Sequence, residues 1–553
     1  MSPPPSERLP GSLRGVLLWL GLPLAVVVAG TWSDSMLGLA PFPGLLVPVG
    51  LLCAAAGLFL ARWAQLQRAM LGEVPDPRRP EGASGGFHGG GAYHLCRHPE
   101  YLGLSGYLLG WSAAARSPGA SILTLLFTAA WTVWVLVREE RELTERYGPR
   151  AAEWLGAIPF LPRPGRWRRS VAPPAPPPLY LFTRAFSRSI LRLWSGLVQP
   201  GTGEVPRSGG LIVAANHRSY LDAFILAAAY PRPIAFLSTS EAFRPLWQRL
   251  FLKGLGCIRL RRFAPDPHAI RQVLRAVRSG AAVGIFPEGE RSWDGGPAPL
   301  LPGVARLLEL ADTPIHAVRL EGSYRLWPRW GRGPRRAPVR VRWERPLVAG
   351  PARAMGLALV DRLSERPDPP TSRNRSAADV GRLIWRCPSC GHPDAIRGGR
   401  GGAVWCIRCG GSGRLYDGTH LDWEGIGTRT LRQWSREVAL TGEERLALAS
   451  GPDPPRHWPF LRLSDGEGDL PLRSRGKGEA VLTPDALVLR SRGWRACLPA
   501  PSIRSVTVEG SHKLQVTTRR RIYELRYRRG SPRGPRIHLE AWLDARGVSY
   551  RRG

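Results

Sequence analysis

Residues 209–229 read GGLIVAANHRSYLDAFILAAA, and residues 281–295 read AAVGIFPEGERSWDG. Each stretch opens with a short apolar run typical of a buried strand and ends on a polar, turn-forming cluster. In an open α/β sheet the carboxyl ends of such strands face a common ligand crevice. The pattern therefore predicts that the two polar clusters, although far apart in sequence, meet at one site of a central α/β domain.

The first cluster contains a histidine and an aspartate, His217 and Asp222. Their spacing is too long for one face of a regular helix, so we expect His217 on a turn and Asp222 just inside the following helix. A histidine can accept the proton of a hydroxyl group, and a carboxylate can hold its tautomer and stabilise the imidazolium. The substrate can supply that hydroxyl, so this chemistry does not require a serine nucleophile.

The second cluster contains Glu288, Arg291 and Ser292 in a turn punctuated by glycine and proline. Backbone N–H groups in such a turn, together with the fork of an arginine, suit the oxygens of a phosphate.

Four segments in this part of the chain resemble the motifs of the glycerolipid acyltransferase family that includes 1-acylglycerol-3-phosphate acyltransferase. NHRSYLD and FPEGERS resemble the first and third motifs, GLGCIRLRR the second, and TPIHAVRLEGSY the fourth, with Pro314 in the matching position. The resemblance implies transfer of an acyl group from acyl-CoA or acyl-carrier protein to the hydroxyl of a lysophospholipid-type acceptor.

By the same resemblance, His217 is the general base and Asp222 orients it. The residues implied to bind the phosphate-bearing acceptor are Arg262, Glu288, Gly289 and Arg291. One position departs from the family pattern: Glu290 stands where a small or hydroxyl residue is usual. A carboxylate there would repel a phosphate, so this position bears on the identity of the acceptor.

The first third of the chain contains apolar segments at residues 13–30, 44–63, 101–115 and 121–137. About 20 apolar residues span the hydrocarbon core of a bilayer, so these segments predict a transmembrane helical bundle, with a soluble bundle as the alternative. Residues 31–43 contain no Lys or Arg, whereas arginines follow the second segment. The positive-inside rule then places the N-terminus and the 64–100 loop in the cytoplasm. We predict an integral protein of the bacterial inner membrane, with its catalytic and C-terminal domains in the cytoplasm.

Polar stretches flank the third and fourth apolar segments on the side predicted to be cytoplasmic: GAYHLCRHPEYLG at 91–103 and REERELTERYGPRAAEWLGAIPFLPRP at 138–164. They resemble the C-terminal motif of the integral-membrane methyltransferases that include isoprenylcysteine carboxyl methyltransferase and the phospholipid N-methyltransferases. That family uses S-adenosylmethionine, and the resemblance implies cofactor-binding roles for Arg97, His98, Tyr101 and Glu140. The alternative is a helical anchor whose polar residues lie at the level of the lipid headgroups.

Two segments follow that connect the membrane region to the α/β domain. Residues 166–180 form a Pro- and Arg-rich linker that is expected to be extended and to lie against anionic headgroups. Residues 181–197 space their apolar side chains at helical intervals. This helix is either interfacial, presenting the α/β domain to the membrane, or the first core helix of that domain.

Two Cys-x-x-Cys pairs, Cys387 with Cys390 and Cys406 with Cys409, are separated by fifteen residues. Four thiolates at this spacing predict a zinc ribbon with a tetrahedral structural Zn²⁺ and no open position for catalysis. A cytoplasmic location keeps these thiols reduced, which favours zinc over disulfides. The other cysteines are isolated, and only Cys96 adjoins candidate site residues.

The C-terminal region alternates apolar and polar residues in GEAVLTPDALVLRS, SIRSVTVEG, HKLQVTTRR and RIYELRYRR, and IHLEAWLDAR is a helix pattern. Antiparallel strands closed by one helix predict a β-rich domain like the pleckstrin-homology fold, or another small antiparallel α+β domain. Its arginines, which either contact anionic lipid headgroups or form a solvated face, are Arg519, Arg520, Arg521, Arg528 and Arg529.

Composition is consistent with a membrane-associated protein. The 553 residues carry a formal charge of +35, and 43% are hydrophobic, which is enough for several cores. Positive charge favours anionic lipid surfaces or nucleic acid. The sequence shows no base-reading helix or aromatic stacking platform, so lipids rather than nucleic acid are the expected partners.

The sequence therefore predicts a membrane-anchored, multidomain lipid-modifying enzyme. Its predicted parts are a methyltransferase-like membrane domain at 1–165, the linker at 166–180, an acyltransferase domain at 181–350, a second linker at 351–380, a zinc ribbon at 381–420 and the β-rich domain at 440–553. The predicted main reaction is lipid acylation, with a second, S-adenosylmethionine-dependent methyl transfer. One alternative is a lipid methyltransferase with an inactive acyltransferase domain, and another is a membrane scaffold or nucleic-acid tether.

Overall fold

The structure is a computed structural model that describes residues 17–71, 91–162, 176–196, 205–206, 209–261, 266–343, 345–348, 350–363, 376–441, 443–444, 447, 456–467, 472–527 and 530–552. The predicted acceptor-binding Arg262 lies outside these residues, as do Arg528, Arg529 and most of the 166–180 linker. The chain divides into two compact units, Met1–Thr183 and Arg184–Gly553.

The described part of the first unit consists of helices and the loops that connect them. Its α-helices are α1 (Leu22–Leu37), α2 (Leu46–Leu71), α3 (Pro99–Ala114), α4 (Pro118–Trp134), α5 (Glu140–Tyr147) and α6 (Pro149–Ala157). Three stretches are long and apolar enough to cross a membrane, namely Trp19–Leu37, Leu46–Arg68 and Pro118–Glu145. Helices of this length and composition are typical of membrane-spanning segments.

Helix α3 is shorter than a full span, but it packs closely against α2. The contact is lined by small residues, and a Cβ on Gly57 would lie only 2.3 Å from the backbone nitrogen of Tyr107. Small residues let two helix backbones approach closely, which favours association where lipid provides no hydrophobic driving force.

The second unit begins within helix α7 (Pro178–Ser195) and continues as an α/β domain. Its strands are β1 (Leu211–Ala215), β2 (Ile234–Thr239), β3 (Ile258–Leu260), β4 (Ala282–Ile285), β5 (Ile315–Glu321) and β6 (Arg340–Trp343). The helices between and after them are α8 (Asp222–Ala229), α9 (Leu246–Gly254), α10 (Pro267–Arg278), α11 (Pro302–Ala311), α12 (Ser323–Leu326) and α13 (Ala352–Leu363).

The six strands form one sheet in the order β3-β2-β4-β1-β5-β6, in which only the last pairing, β5 with β6, is antiparallel. Strands β1 and β4 are buried along their whole length because helices cover both faces of a parallel sheet. Helix α13 occupies the start of the segment predicted as a second linker. Its Met355, Leu359 and Leu363 pack into the core beneath the sheet. This segment therefore has an apolar helical face, although the proline-rich residues that follow it favour a linker.

The region with the four cysteines is a small antiparallel sheet. Its strands are β7 (Ile396–Gly398), β8 (Ala403–Cys406), β9 (Ser412–Tyr416), β10 (His420–Trp423) and β11 (Gly427–Thr430), paired in sequential order and followed by helix α14 (Leu431–Glu437). The sheet continues beyond residue 420, where the ribbon was predicted to end. Strands of four residues between glycine turns carry too few positions for alternation to be recognised in the sequence.

The C-terminal region is an eight-stranded sheet with one helix. Its elements are β12 (Arg456–Glu467), β13 (Arg473–Leu482), β14 (Ala486–Ser491), β15 (Trp494–Pro499), β16 (Ile503–Glu509), β17 (Lys513–Thr518), β18 (Arg521–Arg526), α15 (Arg533–Asp544) and β19 (Arg551–Arg552). The strand order is β15-β14-β13-β12-β18-β17-β16-β19. The predicted β-rich region is therefore present, whereas its likeness to the pleckstrin-homology fold stays a prediction.

One hydrophobic core connects these regions of the second unit. It begins at Tyr324 and Trp330, beside the end of β5, includes Cys387 and Cys406, and continues through the C-terminal sheet to Leu543. The α/β domain, the cysteine region and the C-terminal sheet are therefore packed together.

Candidate functional site

The two polar clusters meet because β1 and β4 are parallel neighbours. Ala214 pairs with Ile285 in the register, so the residues that follow both strands emerge at the same edge of the sheet. The N–H of Ser292 donates to the carbonyl of His217 at 2.9 Å, and the ring of His217 stacks on Phe286 with centroids 4.2 Å apart. The convergence expected from the strand pattern is thus present.

His217 and Asp222 form a hydrogen-bonded pair. The Nδ1 atom of His217 lies 2.8 Å from Oδ2 of Asp222, which is the first residue of α8 and is fully buried. The same carboxylate oxygen accepts the backbone N–H groups of Arg218 and Ser219 at 2.6 and 2.7 Å. These bonds hold the carboxylate in place, so it can set the orientation of the imidazole.

Burial lowers the pKa of His217 below its usual value, and the nearby cations of Arg291 and Arg329 act in the same direction, while Asp222 opposes them. The imidazole is therefore neutral at neutral pH and able to accept a proton.

The turn after β4 requires glycine at position 289. Gly289 has a φ of 71°, and its N–H donates to the carbonyl of Phe286 at 2.9 Å. A Cβ here would lie 2.3 Å from Cδ1 of Leu301. This tight turn carries Arg291 toward the first motif.

The guanidinium of Arg291 lies over the ring of Tyr220, 4.1 Å from the centroid. Its Nε is buried and has no hydrogen-bond partner among the described residues. An arginine held flat on an aromatic ring, with donor capacity to spare, can bind an anion.

The other predicted acceptor-binding side chain in the turn is directed elsewhere. Glu288 pairs with Arg218 at 3.2 Å, and the two side chains are 2% and 0% exposed. A buried charge needs such a partner, since an isolated one is strongly destabilising. Arg218 and Tyr220 belong to the first motif, but their partners Glu288 and Arg291 in the third motif are set by the fold. Arg329 lies outside all four motifs and meets Glu290 only in the tertiary structure.

The first unit contains a second polar cluster, where the start of α3 meets the start of α5. His98 Nε2 lies 3.1 Å from Oε1 of Glu140, and Arg97 Nη1 lies 3.1 Å from the other carboxylate oxygen. The hydroxyl of Tyr101 donates to Glu139 at 2.9 Å. The four predicted cofactor-binding residues are therefore gathered in one place, around two adjacent carboxylates that suit a cationic or hydroxyl-rich ligand.

Arg97 also anchors this cluster to the segment after α6, because its Nε donates to the carbonyl of Ile158 at 2.7 Å. The neighbouring Cys96 is buried, and burial raises the pKa of its thiol to about 11. A thiol that stays protonated is a packing residue rather than a nucleophile.

The four cysteines of the middle region form one cluster. Their sulfur atoms all lie within 4.8 Å of one another. The Cys387–Cys409 and Cys390–Cys406 sulfur pairs are 3.7 and 3.8 Å apart. Tetrahedral zinc with bonds of about 2.3 Å requires sulfurs about 3.8 Å apart, so the spacing is compatible with zinc. The N–H groups of Ser389 and Arg408 point at Cys387 and Cys406 at 3.4 Å, as donors to thiolates do.

Family models match the two regions of the chain that contain these His- and Glu-bearing clusters. The family model described as Acyltransferase matches residues 200–321, and the model described as Phospholipid methyltransferase matches residues 47–150.

Individual relatives are similar to the α/β region. The 1-acyl-sn-glycerol-3-phosphate acyltransferase of Bacillus subtilis is 26% identical over 145 residues, which are 26% of this chain and 72% of that protein. The chloroplastic enzyme of the same name from Brassica napus is 25% identical over 183 residues, 31% of this chain, and the one from Cocos nucifera 27% identical over 180 residues, 30% of this chain. The chain spans 53% and 58% of these two plant proteins.

A solved structure, that of the 1-acyl-sn-glycerophosphate acyltransferase from Thermotoga maritima, is 20% identical with a TM-score of 0.30. The match covers 45% of this chain and 97% of that one.

The residues matched by the two family models include the two polar clusters. The chain therefore carries a phospholipid methyltransferase-family domain at residues 47–150 and an acyltransferase-family domain at residues 200–321.

Proposed function

We propose that the second unit is a lipid O-acyltransferase, with acyl-CoA or acyl-carrier protein as donor and a lysophospholipid-type hydroxyl as acceptor. The observation that supports this most strongly is the 2.8 Å contact between His217 and Asp222, set against the turn that carries Arg291. The named activity of the relatives, 1-acyl-sn-glycerol-3-phosphate acylation, supports the same choice of acceptor class.

In the proposed mechanism, Nδ1 of His217 is held by Asp222, so Nε2 takes the proton of the acceptor hydroxyl. The hydroxyl oxygen attacks the thioester carbonyl and forms a tetrahedral oxyanion. Collapse of that intermediate breaks the carbon–sulfur bond, and the departing thiolate takes the proton from the imidazolium. Asp222 stabilises the imidazolium between these two steps.

Arg291 is the proposed anchor for the phosphate of the acceptor. Its guanidinium is held flat on Tyr220 close to His217, which aligns the acceptor hydroxyl with the base. Glu290 does not oppose this role, since its carboxylate is 2.9 Å from Arg329. This pairing argues against the alternative in which Glu290 marks an inactive acyltransferase domain.

The test is acyl transfer from labelled acyl-CoA to lysophosphatidate by the full-length protein. Replacing His217 with Ala removes the proton acceptor, and we expect a fall of about 10²–10⁴-fold in turnover, the usual contribution of a general base. His268→Ala, at an exposed histidine on α10, is the matched control and retains activity. Full turnover in His217→Ala would show that the assigned base is wrong.

We also propose that the first unit is a lipid methyltransferase that binds S-adenosylmethionine through Arg97, His98, Tyr101 and Glu140. When bound, the cofactor supplies an electrophilic methyl group. The carboxylates suit its positive charges, and Arg97 and His98 orient Glu140. A helical anchor would have no need for this concentration of charge.

Direct binding of S-adenosylmethionine, measured by calorimetry, tests the methyltransferase proposal. We expect His98→Ala and Glu140→Gln each to weaken binding at least about tenfold, since a hydrogen bond to a charged group contributes about 1.5–3 kcal/mol. Glu145→Gln, which breaks an exposed pair with Arg141, is the control. Unchanged binding in both cluster variants would reduce the first unit to an anchor.

We propose a structural Zn²⁺ at Cys387, Cys390, Cys406 and Cys409, a pleckstrin-homology-like C-terminal fold that meets anionic headgroups, and the bacterial inner membrane as location with the second unit in the cytoplasm. We also propose the predicted division of the chain into a membrane domain, an acyltransferase domain, a zinc ribbon and a β-rich domain.

A further inference from the structure

Arg329 is a buried arginine that joins the acyltransferase turn to the C-terminal sheet. Its Nη1 donates to Oε2 of Glu290 and to the carbonyl of Arg291, both at 2.9 Å. Its Nε donates to the carbonyl of Gly510 at 3.3 Å, and its Nη2 donates to the carbonyl of Val508. One guanidinium therefore bonds to both sides of a contact between segments about 180 residues apart in the chain.

Arg329 is buried at this contact and is paired with a carboxylate. The side chain of Arg329 is 2% exposed, and it lies over the ring of Trp293 with its Cζ 4.7 Å from the centroid. The carboxylate of Glu290 also lies 3.7 Å from Arg536 of helix α15. Glu290, the departure from the acyltransferase pattern, is thus paired with two cations of the surrounding protein, which offset the repulsion that its carboxylate would exert on a phosphate.

Arg329 also contacts the first motif, through its backbone carbonyl. The hydroxyl of Tyr220 donates to the carbonyl of Arg329 at 3.4 Å, and Tyr220 supports the guanidinium of Arg291. The N–H of Ser292 is bonded to the carbonyl of His217. Arg329 is therefore linked to both residues proposed to handle the acceptor, although it contacts neither reacting atom.

We propose that Arg329 is a positioning residue of the acyltransferase site, which clamps the 286–292 turn between Tyr220 and the β16–β17 turn, so that the C-terminal sheet completes this site. This inference rests on the proposed acyltransferase function and adds a role for the C-terminal region. Glu290, which pairs with Arg329 and with Arg536, is then part of the contact through which the C-terminal region supports the acyltransferase turn.

A clamp of this kind affects the acceptor more than the acyl donor. Arg291 must meet the phosphate within a few tenths of an ångström of its best position, and a displacement of about 1 Å can cost about 100-fold in rate. Loss of Arg329 frees the turn that carries Arg291. It should therefore raise KM for a phosphorylated acceptor, while the slow reaction with a monoacylglycerol, which has no phosphate, changes little.

The experiment compares Arg329→Gln, Arg329→Lys and Glu290→Gln in the full-length protein. For lysophosphatidate we expect kcat/KM to fall about 100-fold in Arg329→Gln, with an intermediate loss in Arg329→Lys because an ammonium keeps the charge but not the planar fork. Glu290→Gln keeps the shape of the side chain, so its kcat/KM for lysophosphatidate should fall by a smaller factor than that of Arg329→Gln. Arg342→Gln, which removes an Arg–Glu contact of the same 2.9 Å length on the exposed edge of the sheet, is the control and should behave as wild type.

A second readout is the acid limb of the pH–rate profile. The charged groups facing His217 are Asp222, Arg291 and Arg329. Removing one of the two cations raises the pKa of His217, so the acid limb of Arg329→Gln should move to higher pH. A guanidinium whose charge does not act on His217 in the working enzyme would leave the limb where it is, so the shift tests the proximity of the two groups and the loss of acceptor selectivity tests the positioning role.

The proposal is overturned if kcat/KM for lysophosphatidate is the same in Arg329→Gln as in Arg342→Gln. It is also overturned if Arg329→Gln lowers kcat/KM by the same factor for lysophosphatidate and for the monoacylglycerol. If the wild-type protein transfers no acyl group, the proposed function fails separately. Hydrogen exchange of residues 286–292 then decides the positioning role, since Arg329→Gln should speed it and an unchanged rate would contradict the clamp.

Discussion

At the scale of single residues, the chemistry of the acyltransferase site depends on how one histidine is held. Burial lowers the pKa of His217 below its usual 6.5, against the opposing effect of Asp222. A general base acts only when neutral, so a lower pKa moves the acid limb of the rate profile to lower pH. We therefore expect the midpoint of the acid limb of kcat/KM for acyl transfer to lie below pH 6.5.

Asp222→Asn tests the partner of His217. Loss of the carboxylate removes the group that raises the pKa of His217, so the acid limb should move still lower. The plateau should fall by about 10³–10⁴-fold, as when the orienting aspartate of a catalytic triad is replaced by asparagine. An acid limb that moves upward in this variant would contradict the assigned pair.

Gly289 provides a test of the turn itself. Alanine at φ 71° is strained, and its Cβ would collide with Leu301. We expect Gly289→Ala to cost about 1–2 kcal/mol of stability and to lower kcat/KM for a phosphorylated acceptor. Gly303→Ala is the control, since a Cβ there meets nothing within 4 Å. Thermal unfolding and acceptor kinetics measure both effects, and equal behaviour of the two variants would argue against a constrained turn.

At the scale of elements, helix α9 presents apolar residues that the second unit does not cover. Leu246, Trp247 and Leu250 are 59%, 67% and 62% exposed, and the basic Arg249 and Lys253 accompany them on the same helix. An apolar face with flanking cations is typical of helices that lie in the interface of an anionic bilayer. This face is suited to contact the membrane that contains the acceptor lipid.

We therefore expect the double variant Trp247→Ser/Leu250→Ser to lose activity selectively on acceptors embedded in vesicles. Each lost side chain removes about 1.5–3 kcal/mol of apolar burial, equivalent to at least tenfold in partitioning. Activity on a monomeric short-chain acceptor should stay near that of the wild type. Leu357→Ser, at a 65% exposed leucine on α13, is the matched control. Equal losses on both kinds of acceptor would rule out a membrane contact by α9.

At the scale of the whole molecule, the cysteine cluster should stabilise more than its own sheet. Cys387 and Cys406 belong to the same core as Tyr324 and Trp330 of the α/β domain. If zinc holds this cluster, its removal loosens that core, because metal-binding energy is also folding energy.

We expect the wild-type protein to contain about one zinc per chain by atomic emission, which is the stoichiometry of a four-cysteine site. Cys406→Ser should lose the metal, unfold at lower temperature and show reduced acyl transfer. Cys497→Ser, at an exposed isolated cysteine, should do none of these. Acyltransferase activity and unfolding temperature that are unchanged after zinc loss would show that the cluster is not a support for the site.

Local patterns predicted much of this architecture. The strand-to-helix corner at His217 and Asp222, the convergence of the turns after β1 and β4, and the Cys-x-x-Cys pairs are all encoded in short stretches of sequence. Most C-terminal strands alternate clearly. Strand β12 was not predicted, because Pro459 and the polar run near Asp465 interrupt its alternation and its register with β13 shifts.

The sequence by itself determined which residue types stand at the ends of two buried strands, because apolar runs and turn formers act over a few positions. Only the tertiary structure decided what each charge faces. From its motif alone, the carboxylate of Glu290 is expected to repel a phosphate. In the structure it pairs with Arg329 and lies near Arg536. Those partners lie 39 and more than 200 residues away, and packing of the shared core, which no local pattern records, brings them together.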